Sequence, residues 1–378
     1  MSEEKVPKAA YEKVDRKAEV MDTPYDRWIT AQGIDVMRGF FVEDLYTVPL
    51  KWWDRVGGYG VYIMLDGTGY LDDAYVCGIP PGKSLNPQRH IYEALIYVLD
   101  GRGATTVWQT NGGKQSFEWQ TGSLFAIPLN ASYQHFNASG SEPARYFAVT
   151  NACFMMNLFH NLDFIFDNDF AFTDRFDPAA DDYFSGKGTV YGRFFMTTNF
   201  VSDTHTIKLA DYSERGKGST NMKFDLAQQT MGAHISEFPV GTYKKGHRHG
   251  PGAHVIILGG QGYSVLWPEG QEKRRVDWRA GSVVVPPNQW FHQHFNSGAQ
   301  PARYLALRWN NWRFRFFRMT DGDGSTYTSI KKGGGQIEFE DEDPAIHREF
   351  EDAMKKVGAQ CRMGSYHPGC TQKAAAAG

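Results

Sequence analysis

The 378-residue sequence has little cysteine and almost no net charge, and it lacks any long apolar run. Its four cysteines, Cys77, Cys153, Cys361 and Cys370, form no Cys-x-x-Cys pair. That excludes a disulfide framework and fits a reduced, cytoplasmic setting. Lys plus Arg number 40 against 43 Asp plus Glu, a net charge of −3. Such a balance offers no electrostatic footprint for nucleic acid or for an anionic membrane. No stretch approaches the roughly 20 apolar residues that span a bilayer, and the charged start Met1-Ser2-Glu3-Glu4-Lys5 does not read as a secretory signal. Glycine (40 residues) and aromatic side chains (15%) are abundant instead. They point to a turn-rich β-sandwich or barrel, and the length points to two cores.

The sequence repeats itself. Gly82 to Asn137 aligns on Gly241 to Asn296 without a gap, at a constant offset of 159. In this register Gly101 and Gly103 meet Gly260 and Gly262, Trp108 and Trp119 meet Trp267 and Trp278, and Pro128 meets Pro287. Gln134-His135-Phe136-Asn137 recurs as Gln293-His294-Phe295-Asn296, and Pro143-Ala144-Arg145-Tyr146 as Pro301-Ala302-Arg303-Tyr304, one position out of step. This is a duplicated domain. Within each copy, short β-branched runs such as Ala94–Leu99 and Val255–Leu258 end at a Gly-x-Gly turn, which predicts hairpins.

The chain divides into an N-terminal arm (1–70), a first barrel (71–153), a connector (154–235), a second barrel (236–310) and a C-terminal tail (311–378). Two helices are legible. Thr23-Pro24-Tyr25-Asp26 is a capping box with Pro at the first helical position, and Asp343-Pro344 opens a helix that ends near Gly358. Ala374–Gly378 reads as a frayed end. Cys361, Cys370 and His367 contain metal-ligating groups, although an unstructured tail is the simpler reading.

Five of the 12 histidines fall between positions 247 and 294. His247 and His249 are two apart, so on an extended chain they share a face. His292 lies beyond a turn and another strand, where an antiparallel barrel brings it opposite that pair. Three imidazoles so placed form a facial metal site. The first copy has Gln88 and Tyr133 in place of His247 and His292 and keeps only His90, which leaves too few ligands for a metal.

Gly241-x5-His247-x-His249 and Gly281-x5-Pro287-x-Gln289-x2-His292-x3-Asn296 resemble the two motifs of the cupin superfamily, Gln289 standing where Gly is usual. Two copies imply a bicupin: an all-β protein of two double-stranded β-helix, or jelly-roll, barrels in tandem with short flanking helices. The resemblance also implies one divalent metal per chain, held by His247, His249 and His292 and empty in the first barrel. Cupins commonly supply a Glu after the His pair, and that slot is Ala253 here. The run His247-Arg248-His249-Gly250-Pro251-Gly252-Ala253 resembles gentisate-type ring-cleaving dioxygenases, which are three-His iron bicupins.

Three neutral imidazoles leave the full charge and three open positions on an octahedral ion, favouring a chelating anion. The expected function is therefore an Fe(II) dioxygenase acting with O2 on a small aromatic or enolic hydroxy-acid. The alternative is a non-oxidative decarboxylase, lyase or isomerase using Mn, Zn or Ni, and a binding or storage protein is a third reading. His254 is either a fourth ligand or a rim histidine. Arg308 is placed to bind a substrate carboxylate, or else sits on the surface; Trp290, beside His292, lines the pocket or packs outside. His294 and Gln293 are further pocket candidates, though both recur in the copy without ligands, which favours a structural role. A homodimer or homotetramer is expected, with the aromatic-rich Phe154–Phe176 as its seam.

Overall fold

The computed structural model describes residues 23–110, 112–250, 252–315 and 326–372. The charged start and the alanine-rich end anticipated as frayed lie outside these residues. Each copy folds into two facing antiparallel-rich sheets. In the first, a large sheet places strand Asp73–Ile79 beside Ala144–Thr150, then Ala94–Asp100, then Leu124–Ile127. A three-stranded sheet of Ser132–Asn137, Arg102–Trp108 and Lys114–Gln120 faces it. The second copy repeats this order with Met231–Phe238, Ala302–Trp309, His254–Gly259 and Val283–Val284, and with Phe291–Phe295, Gln261–Trp267 and Arg274–Arg279.

The recurring residues have local causes. Gly101 (φ +93°) and Gly260 (φ +82°) turn each hairpin through the left-handed region. At Gly103 a Cβ would lie 2.4 Å from the Trp119 ring, and at Gly262 2.7 Å from the Trp278 ring. Each indole lies flat across its glycine and donates to a hydroxyl beneath, Thr105 (2.9 Å) or Ser264 (3.0 Å). The same hydroxyls bond His135 and His294, each at 2.7 Å to Nδ1. Asn137 and Asn296 donate to turn carbonyls in both copies. The shared Gly, Trp, His and Asn residues thus form a framework that serves both barrels.

The sheets also take residues from the segments read as arm and connector. Gly58–Leu65 extends the first large sheet and Thr220–Leu226 the second. Two short strands are exchanged: Phe41–Val42, from the arm, pairs with Val283–Val284 of the second barrel. Phe200–Val201, from the connector, pairs with Leu124–Phe125 of the first. A shared core containing Leu95, Phe147 and Val149 from one barrel and Ile235, Ile256 and Leu305 from the other is buried between them. Each such apolar side chain contributes about 1.5–3 kcal/mol on full burial, so the two barrels are welded along this face.

Helix α1 (Pro24–Ala31) forms with the expected reciprocal capping box and buries Tyr25, Trp28 and Ile29. α2 (Ala152–Phe159) and α3 (Leu162–Phe166) leave Leu158, Phe159, Leu162 and Phe164 exposed on the segment anticipated as a seam. α4 (Pro344–Lys356), capped by Asp343, packs Ile346, Phe350 and Met354 against Tyr243 and Phe295 of the second barrel. The C-terminal tail is therefore ordered over its described length, in contrast to the simpler reading of the sequence, because these apolar residues find a barrel face to cover. No helix among the described residues is long and apolar enough to cross a membrane.

Candidate metal centre

The site begins with a backbone pair. His247 N donates to the His292 carbonyl at 3.0 Å and His292 N donates to the His247 carbonyl at 2.8 Å, fixing the two residues across from each other. His249, two positions on, turns its ring to the same side. The His247 and His292 ring centroids are 4.3 Å apart, and that of His249 lies 4.8 Å from His292. One ring nitrogen from each of the three lies within 4.8 Å of the others.

Nδ1 of His247 faces the Lys245 carbonyl (3.0 Å) and Nδ1 of His292 the Trp290 carbonyl (3.2 Å). Donation there places the proton on Nδ1 and leaves Nε2 bare, as a metal ligand requires. Burial, reinforced by Arg215 and the neighbouring rings, holds His247 well below its ordinary range. Burial followed by His292 does so for His249, and burial brings His292 to about 4. All three are neutral near pH 7. The buried Nδ1 of His249 has no hydrogen-bond partner. Three converging neutral imidazoles fit a divalent cation in both geometry and donor chemistry.

A cavity of about 300 Å³ opens beside His247 and His249. Its lining carries five cationic side chains, Arg215, Lys223, Lys244, Arg308 and Arg315, and among the described residues no carboxylate. Lys244 is buried, its ammonium bonding Ser236 Oγ (2.5 Å) and Tyr304 Oη (3.0 Å). Burial lowers Lys244, Lys223 and Arg308 from their ordinary ranges. Lys223 donates to Tyr327 Oη at 3.0 Å. Burial pushes the Tyr327 phenol up, but Lys223, Tyr212 and Arg215 together outweigh it and bring it down to about 8.

Of the pocket residues anticipated from sequence, Arg308 lines the cavity and three others lie elsewhere. Trp290 packs against Phe40 and under Arg274. His294 is held by Ser264, as His135 is by Thr105. Gln293 donates to Glu342 Oε2 at 2.5 Å, towards the tail. His254 is fully buried, with Nδ1 3.9 Å from Asp72 and its ring against Phe147. The three-histidine group does not include it. The parity of its strand turns it towards the inter-barrel core. Arg215, Lys223, Lys244 and Tyr327 were missed, although one signal was present: in the repeat register Lys244 stands on Leu85.

The first barrel shows the same backbone pair between Gln88 and Tyr133, at 2.9 Å in both directions. Its side chains differ. Tyr133 Oη lies 2.9 Å from His90 Nε2 and the Tyr92 carbonyl 2.8 Å from Nδ1, so both ring nitrogens are engaged. Gln88 turns away to backbone carbonyls. The space left measures about 20 Å³, room for one water.

Residues 75–150, the first barrel, match the cupin domain family. The second copy repeats the strand order of this matched segment, so the fold is two cupin-type barrels in tandem. No curated protein matches the sequence. Among solved structures, a Lactobacillus farciminis oxalate decarboxylase–formate complex is similar at 14% identity and a TM-score of 0.49, covering 72% of this chain and 86% of that one. A variant of Bacillus subtilis oxalate decarboxylase is similar at 12% identity and a TM-score of 0.48, covering 73% and 78%.

Proposed function

We infer that the second barrel is the active site of a metal-dependent enzyme acting on a small, multiply charged organic acid. The observation that carries this reading is the cavity lining: five cations and no described carboxylate, together with His247 and His249 of the three-imidazole group. Such a lining would favour anions, because cations that face no carboxylate among the described residues gain most from a ligand that neutralises them.

His247, His249 and His292 would hold the metal, Mn, Zn, Ni or Fe(II). Once bound, it supplies a Lewis acid that polarises a substrate carboxylate or hydroxyl. Arg308 offers a two-pronged grip on a carboxylate, with Lys223 and Lys244 as point charges on the same lining. Tyr327, brought down to about 8, exchanges a proton near neutral pH. A poised proton carrier among carboxylate-binding cations supports non-oxidative chemistry, namely decarboxylation, lyase cleavage or isomerisation, ahead of dioxygenation. The dioxygenase reading keeps one observation in its favour: the three-histidine set with Ala253 in the usual Glu slot, which leaves room for a chelating substrate and O2 together.

The test is turnover of di- and hydroxy-carboxylates by protein loaded separately with Mn(II) and Fe(II), with and without oxygen. Activity persisting under strict anaerobiosis is expected. Absolute dependence on O2 with Fe(II) selects the second reading, and no metal-dependent turnover of any such acid defeats both.

A further inference from the structure

The C-terminal tail contains a second group of metal-ligating side chains, built without the three barrel histidines: the two tail cysteines join a His and a Glu that the sequence did not single out. His347 and Glu351, one turn apart on α4, face the same way. After the helix the chain doubles back, bringing Cys361 and Cys370 to them. All four are buried, at 2%, 4%, 4% and 6% exposure. One ligand atom from each lies within 4.8 Å of every other. We propose that His347, Glu351, Cys361 and Cys370 form a structural zinc(II)-type site that clamps the segment after α4 back onto that helix, which itself packs on the second barrel.

Three observed separations correspond to edges of a single tetrahedron. Zinc bonds of about 2.3 Å to sulfur and 2.0–2.2 Å to nitrogen and oxygen give tetrahedral edges of about 3.8 Å (S–S), 3.6 Å (S–O) and 3.4 Å (N–O). Cys361 Sγ and Cys370 Sγ are 3.6 Å apart, Cys370 Sγ is 3.6 Å from Glu351 Oε1, and His347 Nε2 is 3.4 Å from Glu351 Oε1. The sulfurs are well beyond the roughly 2.05 Å of a disulfide.

The surroundings prepare the ligands. His347 Nδ1 donates to Tyr243 Oη at 2.8 Å and that hydroxyl donates to Glu342 Oε1 at 2.8 Å. This chain of bonds puts the imidazole proton on Nδ1 and aims a bare Nε2, buried and without a hydrogen-bond partner, into the cluster. Thr371 fixes the Glu351 carboxylate through its backbone N (2.9 Å) and its hydroxyl (2.8 Å). His367 stacks on His347 with centroids 3.9 Å apart. Its Nδ1 accepts from Gly369 N, so its Nε2 proton faces Glu342 at 3.3 Å, and it serves as a neighbour rather than a ligand. Four protein ligands in a closed, buried set leave no open position, the pattern of a structural rather than a catalytic ion, and paired thiolates select zinc-like metals.

Zinc(II) itself is the probe. Chelated, reloaded full-length protein is expected to hold two equivalents per chain, His247→Ala one, and Cys361→Ser/Cys370→Ser one. If the barrel site binds nothing, the wild type holds one and the cysteine variant none, which still supports the clamp. Since the cysteine variant can fail to fold, cobalt(II) added to wild-type and His247→Ala protein provides a second reading: thiolate-to-cobalt charge-transfer bands are expected in both. Absence of those bands in the wild type, zinc content unaltered by removing both cysteines from folded protein, or a native Cys361–Cys370 disulfide found by thiol counting would each overturn the proposal.

Discussion

At Gln88–Tyr133 in the first barrel and His247–His292 in the second, the same two backbone hydrogen bonds hold different side chains. In one barrel a phenol closes on the surviving imidazole and leaves about 20 Å³; in the other, two of three converging imidazoles, His247 and His249, line a cavity of about 300 Å³. The contrast extends outwards. Leu85 N bonds the His135 carbonyl as Lys244 N bonds that of His294, and Asn86 N bonds the Val56 carbonyl as Lys245 N bonds that of Arg215. Leu85 and Val56 are therefore the structural counterparts of Lys244 and Arg215. An apolar packing surface in one copy is a cationic lining in the other. After duplication, the framework residues stayed the same while the residues facing the interior diverged, and the two barrels are joined through the shared core and the exchanged strands.

The comparison breaks most sharply at the ligands. His292→Ala is expected to remove the barrel metal and lower turnover more than about 100-fold, since even residues that merely orient a ligand cost 10–100-fold. His90→Ala should leave metal content, measured by elemental analysis, unchanged. Equal metal loss from both would end the assignment of chemistry to one barrel. Next comes Arg308→Ala, expected to weaken binding of an anionic substrate by about 30-fold, or about 2 kcal/mol, the scale of a hydrogen bond to a charged group. An unchanged KM would remove Arg308 from the substrate site.

Lys244→Leu installs the residue of the first barrel at the equivalent place. Relief of a buried ammonium should raise stability by about 1 kcal/mol, or about 2–4 °C in Tm, while affinity for the anion falls about tenfold. A loss of stability would show that Lys244 is a framework residue. The last contrast concerns pH. Burial holds His90 and His135 neutral, at about 3 against an ordinary 6.5. The unfolded chain takes up those protons first, so the stability the two rings contribute is complete above pH 6.5 and declines as pH falls towards 3. Urea midpoints should fall across that window and do so less steeply in His90→Gln/His135→Gln; parallel profiles would contradict it.

Much of the fold is legible in the sequence because its causes are local. Glycines at hairpin turns, indoles lying across glycines and an Asn tying each turn recur at one offset, and such spacing is visible without coordinates. The histidine triad was legible for the same reason, with two ligands two residues apart and a third in a matching motif. Gln293 adjoins a ligand and so faces the opposite side of its strand, whereas His294 shares the parity of His292 and is held by Ser264, the framework role that its recurrence as His135 favours; Trp290 takes the outside packing of its two readings. The exchanged strands left only two-residue signatures, Phe41-Val42 and Phe200-Val201, too short to distinguish from loop.

By itself the sequence determined the duplication, the barrel framework, the three imidazoles and which copy lost them, since each depends on residue type and short-range register. Only the tertiary structure decided that Arg215, Lys223, Lys244 and Arg308 converge on one cavity, and that His347, Glu351, Cys361 and Cys370 meet beneath the tail. Those groupings arise where separate strands, a connector and a terminal helix are packed together. A side chain's neighbours across such a junction follow from burial and chain direction in three dimensions, which no spacing along the chain encodes.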